Sequence, residues 1–159
     1  MDKLLDNFQG DINAVDEDGS TIIGYLSKAS QWEIVDKILK FDNVDIDGRD
    51  NGGNTVFMNA VAKCNVIKVE EILKRKPNIN AVNKHRLTAL HMASWHGNME
   101  ILEILVDQKD IGVSYKTVNK NGDTPIDTAE YTSRGRGVTT FLKKNRWRHK
   151  PDWIFYIKK

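Results

Sequence analysis

Apolar pairs recur at a fixed interval along this chain: Ile38-Leu39, Ile72-Leu73, Leu105-Val106 and Phe141-Leu142. Each pair stands seventeen and eighteen residues after a threonine, namely Thr21, Thr55, Thr88 and Thr124. Those threonines lie 34, 33 and 36 residues apart and head segments of one design: Gly-Ser-Thr-Ile-Ile, Gly-Asn-Thr-Val-Phe, Arg-Leu-Thr-Ala-Leu and Gly-Asp-Thr-Pro-Ile. Between threonine and pair, apolar residues fall at helical spacing in two short stretches, as in Ile34, Val35, Ile38 and Leu39. Five residues before each threonine stands Asp16, Asp50, Asn83 or Asn119, and two before it Gly19, Gly53, Arg86 or Gly122. Asx bonds its own backbone and Gly tolerates positive φ, so the spacing predicts a tight turn. Each unit therefore reads as turn, short helix, turn, second helix and connecting loop. One helix pair cannot bury its own apolar stripe, so the units must stack. The expected architecture is an all-α solenoid of helix-turn-helix repeats with projecting turns.

Helix starts are encoded by the same threonines, whose hydroxyls suit N-capping, and Pro125 takes the favoured first helical position. The register divides the chain into repeats at about 16–48, 49–81, 82–117 and 118–144. Residues 1–15 read as the second half of a repeat, with Leu4-Leu5 in the register of Ile38-Leu39. That half repeat is either a short N-terminal cap or the continuation of a longer protein. The connection before the fourth repeat is longer by about three residues around 112–116 and is expected to project further.

The repeats resemble the ankyrin family. Leu87-Thr88-Ala89-Leu90-His91-Met92-Ala93-Ser94 approaches that family's Thr-Pro-Leu-His-x-Ala-Ala core, with Gly97-Asn98 where the family places Gly-His. Thr124-Pro125-Ile126-Asp127-Thr128-Ala129 matches well, and Asn13-Ala14 and Asn80-Ala81 match the segment that closes a unit. Gly24, Met58 and Asp127 depart from the pattern by replacing the motif histidine.

Composition narrows the setting. Of 159 residues, 40% are hydrophobic and 29% charged, as in a soluble globular chain. No apolar run approaches the roughly 18–20 residues of a membrane span, and the N-terminus lacks the layout of a secretory signal. A single cysteine, Cys64, excludes an internal disulfide and suits a reducing compartment. The cytosol is the expected location, or a host's cytosol for an injected bacterial effector. The net charge of +2 hides a division, with +8 over residues 131–159 and −6 before them.

Side chains capable of chemistry do not assemble into a catalytic set. His91 and His96 are five apart, not at the i, i+4 spacing of a helical ligand pair. His91 falls on the family motif and is expected to hydrogen-bond at the helix start. Cys64 is in the register of Gly97 and reads as a small helix-end residue. No paired cysteines suggest a zinc site, and no phosphate-binding glycine loop is present. The expectation is a chain without catalysis, cofactor or metal.

The resemblance implies a protein partner met by turn tips and the concave face of the first helices. By register the tips are Glu17, Asp18 and Ser20; Asn51, Gly52 and Asn54; Lys84, His85 and Leu87; Lys120, Asn121 and Asp123. The concave positions are Lys28 and Ala29, Ala62 and Lys63, Trp95 and His96, and Tyr131 and Thr132. From these, Lys63, Lys84, His85, Leu87, Trp95, His96, Asn121, Asp123 and Tyr131 are selected as the partner-binding set. Trp95 and Tyr131 are the expected anchors, Trp95 because the family pattern is variable there and exposed Trp and Tyr make hot spots. Trp32 aligns with Val66 and Met99 and is expected in the core.

The tail, 145–159, carries Trp147, Trp153, Ile154, Phe155, Tyr156 and Ile157 among basic residues. Such interleaving could stack bases and meet phosphate, sit at a membrane interface, or cap the last repeat. The cap is the expected role. The expectation overall is a monomeric protein-interaction module, with a substrate-docking domain of a larger enzyme or a nucleic-acid binder as the alternatives.

Overall fold

A computed structural model describes residues 10–146. Residues 1–9, most of the expected half repeat, and residues 147–159, most of the tail, lie outside that description. Among the described residues eight α-helices form four hairpins: α1 (Ile22–Lys28) with α2 (Trp32–Ile38), α3 (Val56–Ala62) with α4 (Val66–Leu73), α5 (Ala89–His96) with α6 (Met99–Val106), and α7 (Pro125–Glu130) with α8 (Gly135–Asn145). The first helices stack in a row, α1 on α3, α3 on α5 and α5 on α7, while α4 packs on α6 in the second row. The all-α solenoid is the observed architecture.

Each first helix begins where its threonine directs. The hydroxyls of Thr21, Thr55, Thr88 and Thr124 accept from the N–H groups of Gly24, Met58, His91 and Asp127 at 3.3, 3.2, 3.4 and 3.3 Å. A cap of this kind is worth about 1 kcal/mol. The turns follow one rule as well. A carboxylate or amide oxygen of Asp16, Asp50, Asn83 or Asn119 accepts from the backbone two and four residues on, at 2.8 to 3.0 Å. Gly19, Gly53 and Gly122 take φ of 77°, 79° and 87°. Arg86 keeps the same turn at φ 60°, a conformation that costs a side-chain-bearing residue about 1 kcal/mol. Its guanidinium Nε donates to the carbonyl of Val118, 3.2 Å away in the next repeat.

Turns are also tied to one another. The N–H of Lys84 donates to Gly52 and that of Lys120 to His85, at 3.0 and 3.1 Å. Asn13, Asp47 and Asn80 share a register, and each bonds the backbone of the following repeat. Between the rows runs a continuous core of fully buried side chains, including Ile23, Phe57, Met58, Leu90, Ile101, Leu105 and Leu142. The outer helices of the first two repeats are joined by Lys68, whose ammonium lies 2.7 Å from Asp36 and 2.6 Å from Glu71. Burial alone would lower the Lys68 pKa, but these two carboxylates outweigh it and raise it.

Two expectations need correction. Trp32 is at the margin of the core, partly buried against it, because it opens α2 on the chain's first described hairpin. The insertion around 112–116 does not project. It winds into two short 3-10 turns, Lys109–Gly112 and Ser114–Lys116, which bury Ile111, Ser114 and Tyr115. The second turn packs on both α5 and α7. Apolar side chains gain more from this contact than a solvated finger would offer.

Candidate functional site

The register that builds the core leaves the residues at the very end of each first helix facing outward, as at Lys28, Lys63, Trp95 and Tyr131. At α5 this exposes Trp95 and His96, and at the end of α7 Tyr131. Trp95 is 55% exposed and Tyr131 69%, so neither ring is committed to packing between repeats. Together with Leu87, Met92 and Ala62 they line an open groove of about 610 Å³ across the third and fourth repeats. Asn119, Asn121, Asp123, Thr128 and His91 complete its polar wall.

His91 is held in a defined state. The Thr88 N–H, a fixed donor, points at Nδ1 from 3.1 Å, so Nδ1 must be unprotonated. Nε2 then carries the hydrogen and donates to the Asp123 carbonyl at 3.1 Å. Burial lowers the His91 pKa, against smaller opposing effects of the Asp123 carbonyl and the Asp123 and Asp127 charges. The neutral imidazole thus ties α5 to the turn that carries Asp123. In the fourth repeat Asp127 takes over the capping role, accepting from the Thr124 hydroxyl at 2.7 Å and its N–H at 2.8 Å. Those two hydrogen bonds lower its pKa, opposed by partial burial and helped by the Lys143 charge.

The Asp123 carboxylate is positioned by neutral donors. The Tyr131 hydroxyl donates to Oδ1 at 3.3 Å and the Asn119 amide to Oδ2 at 3.2 Å. The charge of Asp123, the first cause, and its hydrogen bond raise the phenol pKa of Tyr131, with Asp127 and Glu130 adding to it.

Of the nine residues selected from sequence, the structure brings Leu87, Trp95, His96, Asn121, Asp123 and Tyr131 to this groove. Lys63, Lys84 and His85 are exposed but do not line it; Lys63 caps the end of α3, and Lys84 and His85 sit in the turn row. Met92 and Thr128 were missed. Both stand four residues after their cap threonine, a position that Asn59 buries in the second repeat, so register alone does not mark it as groove-lining. Among the described residues no group of three or more His, Cys, Asp or Glu is placed to hold a metal, and no helix is long and apolar enough to cross a membrane.

Comparison with known proteins bears on the whole array. Residues 72–129 match the family model for ankyrin repeats in many copies. The chain is 27% identical over 153 residues to human "Transient receptor potential cation channel subfamily A member 1", covering 90% of this chain and 14% of that protein. It is 30% identical over 123 residues to the "Ankyrin repeat protein OPG189" of Variola virus, covering 72% and 21%. Human "SMC5-SMC6 complex localization factor protein 1" is 30% identical over 110 residues, covering 69% and 10%. The chain thus spans between about a tenth and a fifth of the length of these relatives. Repeats of this kind are generally protein-interaction modules, and proteins that carry them are typically non-catalytic in that part. By its four-repeat register, its stacked hairpins and these matches, the chain belongs to the ankyrin-repeat family.

Proposed function

We propose that this chain is a non-catalytic module that binds a protein through the groove across its third and fourth repeats. One observation carries the reading: Trp95 and Tyr131, two large aromatic side chains, stand mostly exposed over one groove in an otherwise well-packed solenoid. Exposed aromatics grouped in this way on a rigid surface are the composition of an interaction hot spot. The rigid repeats hold both rings before a partner arrives, so little ordering opposes association. Leu87 and Met92 supply the apolar floor, and Asn121 and Asp123 the polar rim. Lys63, Lys84 and His85 contribute at the edge of the contact, where charge affects association rate more than affinity.

Affinity capture from lysate tests this, run side by side with wild-type chain, Trp95→Ala and Ile67→Ala. Ile67 is 67% exposed on α4, away from the groove, and controls for general surface stickiness. Proteins retained by wild type and Ile67→Ala but lost from Trp95→Ala are the expected result. An identical set on all three would remove the groove from the interface. The monomeric state is part of the proposal, checked by sedimentation.

A further inference from the structure

We infer that the partner enters this groove with a single positively charged side chain, lysine or arginine, seated against Trp95 and Tyr131 with the Asp123 carboxylate as its counter-charge. The inference rests on the groove being the partner site, and adds the chemistry of what it takes.

Charge complementarity carries it. Leaving the two histidines aside, Asp123 is the one ionisable carboxylate or cation among the residues lining the groove. Among the described residues no Lys or Arg pairs with it; the ion pairs of Lys68 and Lys143 lie elsewhere. Its hydrogen-bond partners, the Tyr131 hydroxyl and the Asn119 amide, are neutral, so they orient the carboxylate without cancelling its charge. Lys63 and Lys120 neighbour groove residues in the chain, yet neither lines it. The raised phenol pKa of Tyr131, caused first by Asp123 and further by Asp127 and Glu130, reports a negative potential at the ring. A carboxylate or phosphate would meet that potential unfavourably. A cation gains from it twice, through the carboxylate and through the negative faces of the two exposed rings. The apolar walls of Leu87 and Met92 suit the methylene stem behind the charge.

The test uses random dodecapeptides displayed on phage, selected on the full chain with excess Trp95→Ala protein as competitor, so that survivors require Trp95. The inference expects survivors to share one Arg or Lys. Replacing that residue by citrulline or norleucine should weaken binding at least about tenfold on wild type, and the Asp123→Asn protein should no longer distinguish the charged peptide from the neutral one. Survivors without a basic position, or a basic position replaceable without loss, would overturn the cation while leaving the groove as the partner site. No Trp95-dependent survivors on either the full chain or a chain lacking residues 147–159 would remove both. Peptides that bind only after residues 147–159 are deleted would assign the groove to the chain's own basic tail and overturn a partner's side chain as the occupant.

Discussion

The third residue after each cap threonine shows how one position is solved four ways. His91 completes a capping box through its ring, and Asp127 does so through its carboxylate. Met58 buries fully into the core. Gly24 is there because a Cβ would lie 2.2 Å from the Arg49 backbone carbon, where the second turn closes on α1. Sequence made the threonines, the Asx turns and the role of His91 legible, because each acts through its own local backbone. It did not make Gly24 legible, since the reason lies 25 residues further along. Gly24→Ala should therefore destabilise by about 1–3 kcal/mol, read as a fall in urea midpoint. Cys64 takes φ of 54° where Gly97 takes 65° in the same register. Cys64→Gly should then raise stability, by up to about 1 kcal/mol. For His91 the sign follows from its lowered pKa. The folded state favours the neutral ring, so the unfolded chain binds the proton more readily. The stability this gives is complete above about pH 6.5 and is lost as pH falls through the lowered folded value. A melting series from pH 7.5 to 4.5 should show that loss, and His91→Gln should flatten the His91 part of it.

At the scale of elements, the insertion separates what length reveals from what packing decides. The widened spacing between Thr88 and Thr124 shows where extra residues lie, but spacing does not say which way they fold. The signal lay in the side chains: Ile111 and Tyr115, four residues apart, both turn inward. Asn80 holds them there, accepting from the Ser114 N–H at 3.1 Å and its hydroxyl at 2.6 Å. Ser114 is fully buried, so Asn80→Ala leaves its donors without that acceptor and should cost about 1–3 kcal/mol. Tyr115→Ala should cost about 3 kcal/mol or more by emptying its site against the core. Chemical denaturation of both variants checks the pair, and near-neutral values would mean that the insertion stands out in solvent. The insertion packs on α5, which carries Trp95, and on α7, which Tyr131 caps.

For the whole molecule, the repeat period gives a stack whose successive units differ in what they expose. Register alone identified six of the groove's lining residues, because outward-facing positions recur from unit to unit just as core positions do. Lys63, Lys84 and His85 come from the same register and stand exposed beside the groove without lining it. In the proposed function the groove across the third and fourth repeats is where a protein partner binds. Isothermal titration of a captured partner against wild type, Trp95→Ala and Ile67→Ala tests it most directly. A loss of about 2 kcal/mol or more is expected for Trp95→Ala, roughly thirtyfold in Kd, with Ile67→Ala unchanged. A folded Trp95→Ala chain that keeps wild-type Kd would contradict it.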